Sequence, residues 1–119
     1  GIPVLKDPEK GWVGVEAVID KDRTASLLAQ EVGAHALVML TDVPAVQVGF
    51  GTPDAYPIHK TTPSELKVLA HEFPAGSMGP KITAAMEFVE STGGFAAIGS
   101  LEDAPAIVRQ EKGTVVLPD

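Results

Sequence analysis

Ala36-Leu-Val-Met-Leu-Thr41 is a continuous apolar run closed by a threonine. A run without polar alternation reads as a strand buried on both faces of a parallel sheet. Just before it, Ala25, Leu28, Ala29 and Val32 recur at helical spacing, which predicts a helix from Asp22 to Val32 with Gly33 as its stop. Further upstream, Val13, Val15, Ala17 and Ile19 alternate with Gly14 and Glu16, so residues 13–19 read as a strand. The polar turn Lys6-Asp-Pro-Glu-Lys-Gly11 links two strands of a hairpin, the first of them following the turn at Gly1–Leu5.

On the carboxyl side of the run, Val43–Val48 is a second extended piece ending at Gly49-Phe-Gly51. Thr62-Pro63-Ser64-Glu65 is a helix start, with Thr62 as cap, Pro63 in the first turn and Glu65 completing a capping box. Ile82, Ala85, Met86 and Val89 define a longer helix that begins near Ser77 and stops at Gly93-Gly94. Phe95–Ile98 is another buried-strand run, Glu102–Arg109 a short helix with Pro105 in its first turn, and Thr114–Leu117 a final strand. Strands and helices alternate, which defines an α/β class with a mostly parallel sheet.

The 119 residues make one small domain, and a hydrophobic share of 45% marks it as globular. A net charge of −7 argues against a broad nucleic-acid or membrane surface, because phosphate backbones demand a basic face. It leaves room for a small anion site built from a few lysines. The longest apolar stretch, Ala34–Leu40, is interrupted by His35 and is far too short to span a bilayer. Without cysteine there is neither a disulfide nor a thiolate-bound metal, which fits a reducing compartment. No basic-then-apolar signal pattern opens the chain, so a cytoplasmic location is expected.

In open α/β sheets ligands bind beyond the carboxyl ends of the strands, where loops feed helix starts. Two stretches occupy such positions. Phe73-Pro-Ala-Gly-Ser-Met-Gly-Pro-Lys81 places a lysine at a helix start, where unpaired N–H groups and the helix dipole already supply positive charge. A cation there becomes favourable when an anion sits over the same turn, and Gly76 and Gly79 let backbone approach it. The alternative is a solvated lysine after a Gly/Pro turn. Asp20-Lys21-Asp22 joins a strand to a helix. Its aspartates are natural caps, but a cap does not account for Lys21, a second cation near a helix start. Lysines so placed neutralise charge on a transferring phosphoryl group.

Standard nucleotide fingerprints do not fit. Gly76–Lys81 lacks the Gly-Lys-Ser/Thr ending of a P-loop, and Gly49-Phe-Gly51 continues as Thr52-Pro53-Asp54 instead of a dinucleotide glycine motif. His35, His59 and His71 have no metal-like spacing, and no metal site is assigned. His35 is expected to pack at a strand end, His59 and His71 to sit in loops or on the surface, and Trp12 and Tyr56 to be packing residues.

Gly1-Ile-Pro-Val4, Gly14-Val-Glu-Ala-Val-Ile-Asp-Lys-Asp22, Leu40-Thr-Asp-Val43, Phe73–Lys81 and Ile98-Gly-Ser-Leu-Glu-Asp-Ala-Pro105 together resemble the carboxy-terminal, nucleotide-binding portion of the carbamate kinases, in the amino-acid kinase family. The resemblance implies a three-layer αβα fold and reversible phosphoryl transfer between ATP and carbamate, giving ADP and carbamoyl phosphate. Mg²⁺ would be carried by the nucleotide, and the activity would belong to arginine metabolism. By motif, Lys81 would contact the nucleotide phosphates, Lys21 the transferring phosphoryl group, and Asp22 would orient the lysines. Thr41, Asp42, Val43, Gly76, Ser77 and Met78 would line the nucleotide pocket, and Gly1 would lie close to the substrates. The amino-terminal substrate lobe would lie outside these residues, so the chain alone is expected to be inactive, and the intact enzyme is expected to be a homodimer. Where the family continues with Asp-Ala-Val-Tyr, this chain has Pro44-Ala45-Val46-Gln47, which removes an aromatic face beside the nucleotide site. A stand-alone nucleotide- or anion-binding module and a purely structural fragment are the competing readings.

Overall fold

A computed structural model describes residues 2–73 and 76–119. The central sheet has four strands: β3 (Ala36–Thr41), β7 (Phe95–Ser100), β8 (Thr114–Val116) and β6 (Lys60–Thr61), side by side in that order. β3 and β7 run parallel, with Ala36 opposite Phe95 and Thr41 opposite Ser100, so their carboxyl ends finish level. β8 turns back antiparallel to β7 and pairs in parallel with β6. The sheet is thus mostly parallel, in an α/β fold.

Alternate residues of β7 feed two faces. Ala96 and Ile98 join the main core with Val116, Leu37 and Met39, against Ile82, Ala85, Phe88 and Val89 of α3 (Met78–Thr92). α1 (Lys21–Glu31) packs on α3 and β3. α4 (Ala104–Val108) packs against β7 and β3; Ala97, Val115 and its Ile107 are fully buried outside the main core cluster. α3 is held by the apolar spacing of its buried face and ends where Gly93 takes a left-handed φ of 71°. α2 (Pro63–Val68) carries the predicted capping box: Thr62 accepts from the Glu65 N–H, and the Glu65 carboxylate accepts from the Thr62 N–H.

Two hairpins complete the chain. β1 (Val4–Asp7) and β2 (Gly11–Gly14) pair antiparallel across the predicted polar turn, where Asp7 accepts from the N–H groups of Glu9 and Lys10, both at 2.8 Å. β4 (Gln47–Val48) and β5 (Tyr56–Pro57) form a second, shorter pair, smaller than the extended piece expected over 43–48.

Several sequence expectations need correction. The strand expected over 13–19 stops at Gly14; Val15 N–H still donates to the Pro3 carbonyl at 2.9 Å, but residues 16–20 belong to no strand, and Val18 is 93% exposed. Alternation becomes a strand only where a neighbouring strand pairs with it, and the hairpin partner runs out at Pro3. Of the helix face expected from Ala25, Leu28, Ala29 and Val32, Ala29 is buried and Ala25 packs against the core, while Leu28 and Val32 are exposed; Ser26 is buried beside them. β3 lies at the edge of the sheet formed by the described residues, and Leu37 and Met39 on its core face are buried while Leu40 is exposed. Trp12 and Tyr56 ride on the exposed hairpins and do not pack in the core, and His35 is exposed at the entry to β3. His59, also exposed, holds the Gly113 carbonyl through its ring Nδ1 at 3.0 Å.

Candidate active site

Asp20 stands immediately before α1, and its Oδ1 accepts the N–H groups of Asp22 (3.0 Å) and Arg23 (3.1 Å). This ordinary cap fixes the first turn, and the next carboxylate, Asp22, then points across to α3. Both Asp22 oxygens accept from Lys81 Nζ, at 3.1 Å each. Each side chain of this pair is only 21% exposed, so the contact is partly withdrawn from water. Lys81 therefore does have an anion beside it, and that anion belongs to the chain itself. A partly buried pair of this kind fixes the direction in which the ammonium points.

The start of α3 differs from the start of α1. Ser77 is the cap residue but makes no side-chain capping hydrogen bond, and the first turn contains no acidic residue. Its leading N–H groups receive nothing from their own cap. Beside this turn lies a cleft of about 260 Å³. Thr41, Asp42 and Val43 form one wall, at the carboxyl end of β3, and Ser77 and Met78 of the α3 start form another. Thr41 Oγ1 donates to Asp42 Oδ1 at 3.1 Å, tying the loop that leaves the strand. Gln47 and Phe50 reach the same cleft from the β4–β5 hairpin, with Phe73 beside them. Lys81 lies one helical turn beyond Ser77 and Met78, on the same side of α3.

Five of the candidate nucleotide residues, Thr41, Asp42, Val43, Ser77 and Met78, thus share one cleft, although Ser77 lies 34 positions after Val43. Gly76 is exposed just ahead of the helix and does not line the cleft. Lys21 is exposed and borders a separate groove with Pro3, Val18 and Leu28; it makes no ion pair among the described residues. Gly1 lies outside the described residues. The sequence reading missed Phe50 as a cleft residue. Its signal was the placing of an aromatic between Gly49 and Gly51, at a turn where both glycines have positive φ (68° and 82°).

The cleft thus lies at the carboxyl end of a strand in an α/β sheet, with a helix start that lacks a side-chain cap in its wall. The chain belongs to the amino acid kinase family, whose match covers residues 1–98. It is 50% identical to the carbamate kinase of Rhizobium meliloti over 118 residues, which are 98% of this chain and 36% of that protein. The carbamate kinase of Thermoplasma volcanium is 42% identical over 99% of this chain and 39% of its own length. Among solved structures, carbamate kinase from Giardia lamblia bound to AMP-PNP superposes with a TM-score of 0.91 at 39% identity, covering 100% of this chain and 42% of that one. The chain thus spans well under half the length of the relatives it matches.

Proposed function

We propose that the chain is the carboxy-terminal, nucleotide-binding portion of a carbamate kinase, and that the complete protein transfers a phosphoryl group reversibly between ATP and carbamate. In the forward direction a carbamate oxygen attacks the γ-phosphorus, the bond to the β-phosphate bridging oxygen breaks, and ADP leaves with that electron pair. Little covalent chemistry falls to the protein in such a transfer; positioning and charge stabilisation do most of the work.

The observation that carries this reading is the Asp22–Lys81 pair one turn beyond the start of α3, whose Ser77 and Met78 line the cleft with Thr41, Asp42 and Val43. The cleft suits the base and sugar, with Phe50 and Phe73 as apolar surfaces. The first turn of α3, from Gly76 and Ser77, suits the phosphates. Lys81 then meets the terminal phosphates as a charged donor, while Asp22 keeps it from collapsing onto the nucleotide in a single fixed geometry. Lys21, exposed at the start of α1, faces the transferring group once the rest of the protein closes over it. The AMP-PNP held by the Giardia relative supports the choice of nucleotide.

Among the described residues no group of three or more His, Cys, Asp or Glu side chains is arranged to hold a metal ion. A magnesium ion would be carried by the nucleotide phosphates, where it would screen their charge. Gly1 would lie close to the substrates, and the acceptor site and homodimer contacts would come from the remaining length of the protein. No helix of the described chain is long and apolar enough to cross a membrane. A cytoplasmic location goes with the proposed metabolic role.

Titration calorimetry with ADP and Mg²⁺ tests the donor half of this reading, and formation of ATP from ADP and carbamoyl phosphate by the complete protein tests the whole. ADP binding without turnover in the complete protein would leave a nucleotide-binding module in place of an enzyme. Sedimentation of the complete protein tests the homodimer.

A further inference from the structure

The β4–β5 hairpin brings Gln47 and Phe50 to the cleft, yet it has only two paired residues on each strand. Its register, Gln47 opposite Pro57 and Val48 opposite Tyr56, puts Val46 opposite Ile58 as the next pair. In a regular antiparallel ladder those two residues would exchange both of their hydrogen bonds. Only one is made: Ile58 N–H donates to the Val46 carbonyl at 2.8 Å. In place of the other, the hydroxyl of Thr114 stands between the strands. Val46 N–H donates to Thr114 Oγ1 at 2.8 Å, and Thr114 Oγ1 donates to the Ile58 carbonyl at 2.6 Å.

Thr114 comes from β8, in the middle of the sheet, and is completely buried; Val46 is 1% exposed. Gly113 delivers it there by taking a φ of 77° close against Ile98, a conformation that an L side chain would strain. The strand carrying Ile58 has further ties to the same region, since Val115 N–H donates to the His59 carbonyl at 2.7 Å and Leu117 N–H to that of Thr61 at 2.9 Å. On the other strand, the Val46 N–H takes its partner from the Thr114 side chain, between Ala45 and Gln47, which both line the cleft.

We propose that the Thr114 hydroxyl is a positioning group for the nucleotide cleft: wedged into the base of the β4–β5 hairpin, it sets the spacing of the two strands and hence where Gln47 and Phe50 stand. The proposal rests on the nucleotide reading for its ligand, but its structural half stands on the two hydrogen bonds alone. A hydroxyl that both accepts and donates fits this gap. Valine has the same shape and would leave a buried N–H and a buried carbonyl unpaired, whereas serine keeps both bonds.

The test compares Thr114→Val and Thr114→Ser in the complete protein, by ADP titration in the presence of Mg²⁺ and by amide hydrogen exchange. Thr114→Val should weaken ADP binding about tenfold, because the two buried groups left unpaired shift the strands that carry Gln47 and Phe50. It should also speed exchange within residues 43–58 while β3 and β7 stay as protected as in wild type. Thr114→Ser should restore both. Wild-type ADP affinity in Thr114→Val, or exchange accelerated uniformly across the core, would overturn the positioning role and leave a general packing residue. Wild-type protein that binds no ADP would sink the nucleotide reading instead, and unchanged exchange over 43–58 would then also dismiss Thr114 as the hairpin's anchor.

Discussion

The starts of α1 and α3 lie close together, and they are finished in opposite ways. α1 begins with its own carboxylate in place: Asp20 accepts two of its first N–H groups, and Asp22 adds an acidic residue to the first turn. α3 begins with Ser77, which caps nothing, and its first turn has no acidic residue but leads to Lys81. α2 resembles α1, with a full capping box at Thr62. A helix start satisfied from within has no use for an external anion, whereas one left open is free to take it. Among the described residues α4 also lacks a side-chain cap, so what sets α3 apart is that its open start lines the cleft. The chain also links the starts of α1 and α3, since the Asp22 carboxylate of the satisfied helix holds the lysine of the open one.

The sharpest way to break this comparison is to ask whether the open start suffices for chemistry. The 119-residue chain should bind ADP yet form no detectable ATP from ADP and carbamoyl phosphate in a coupled assay, because transfer requires the acceptor to be aligned as well as the donor. Robust turnover would place a complete site within these residues. Next in size, Asp22→Asn in the complete protein should depress kcat by about a hundredfold with little change in nucleotide KM, the scale of losing one preorganised electrostatic contact. Asparagine keeps the shape but not the charge that holds Lys81, so near-normal kcat in steady-state kinetics would reduce Asp22 to a structural partner.

Lys81→Ala comes third. It should weaken ADP binding by roughly ten- to a hundredfold, as expected for losing a charge-assisted contact. Because Asp22 is left partly buried without its partner, the same substitution should also lower the melting temperature, by an amount equivalent to about 1–2 kcal/mol. A drop in melting temperature at unchanged affinity would make the pair purely structural. The smallest effects test the caps directly. Thr62→Ala should cost about 1 kcal/mol by chemical denaturation and leave ADP affinity alone, while Ser77→Ala should cost less than about 0.5 kcal/mol, since that side chain caps nothing. Equal losses from the two would erase the distinction between a closed and an open helix start.

Much of this was legible along the chain. Gly93 as a stop, the Thr62–Glu65 box, the polar turn at Lys6–Gly11 and the periodicity of α3 all rest on contacts within a few residues, and all formed as read. The cleft was half legible. Thr41–Val43 and Ser77–Met78 each carry a local signal of strand end or helix start, whereas the aromatic between Gly49 and Gly51 does not by itself say which distant residues the turn will face.

Sequence by itself determined the elements, their caps and the family resemblance, because propensity, capping and periodicity act over three or four residues and need no partner from elsewhere. Tertiary structure decided the rest. Whether 15–19 became a strand, which face of α1 was buried and whether β3 lay at an edge depended on neighbours that alternation cannot specify. The Asp22–Lys81 pair spans 59 residues and the Val46–Thr114 bond 68. Such contacts exist only because helix packing and strand order bring distant groups within hydrogen-bond reach, where burial, partial for the first and complete for the second, gives each a strength that it would not have in water.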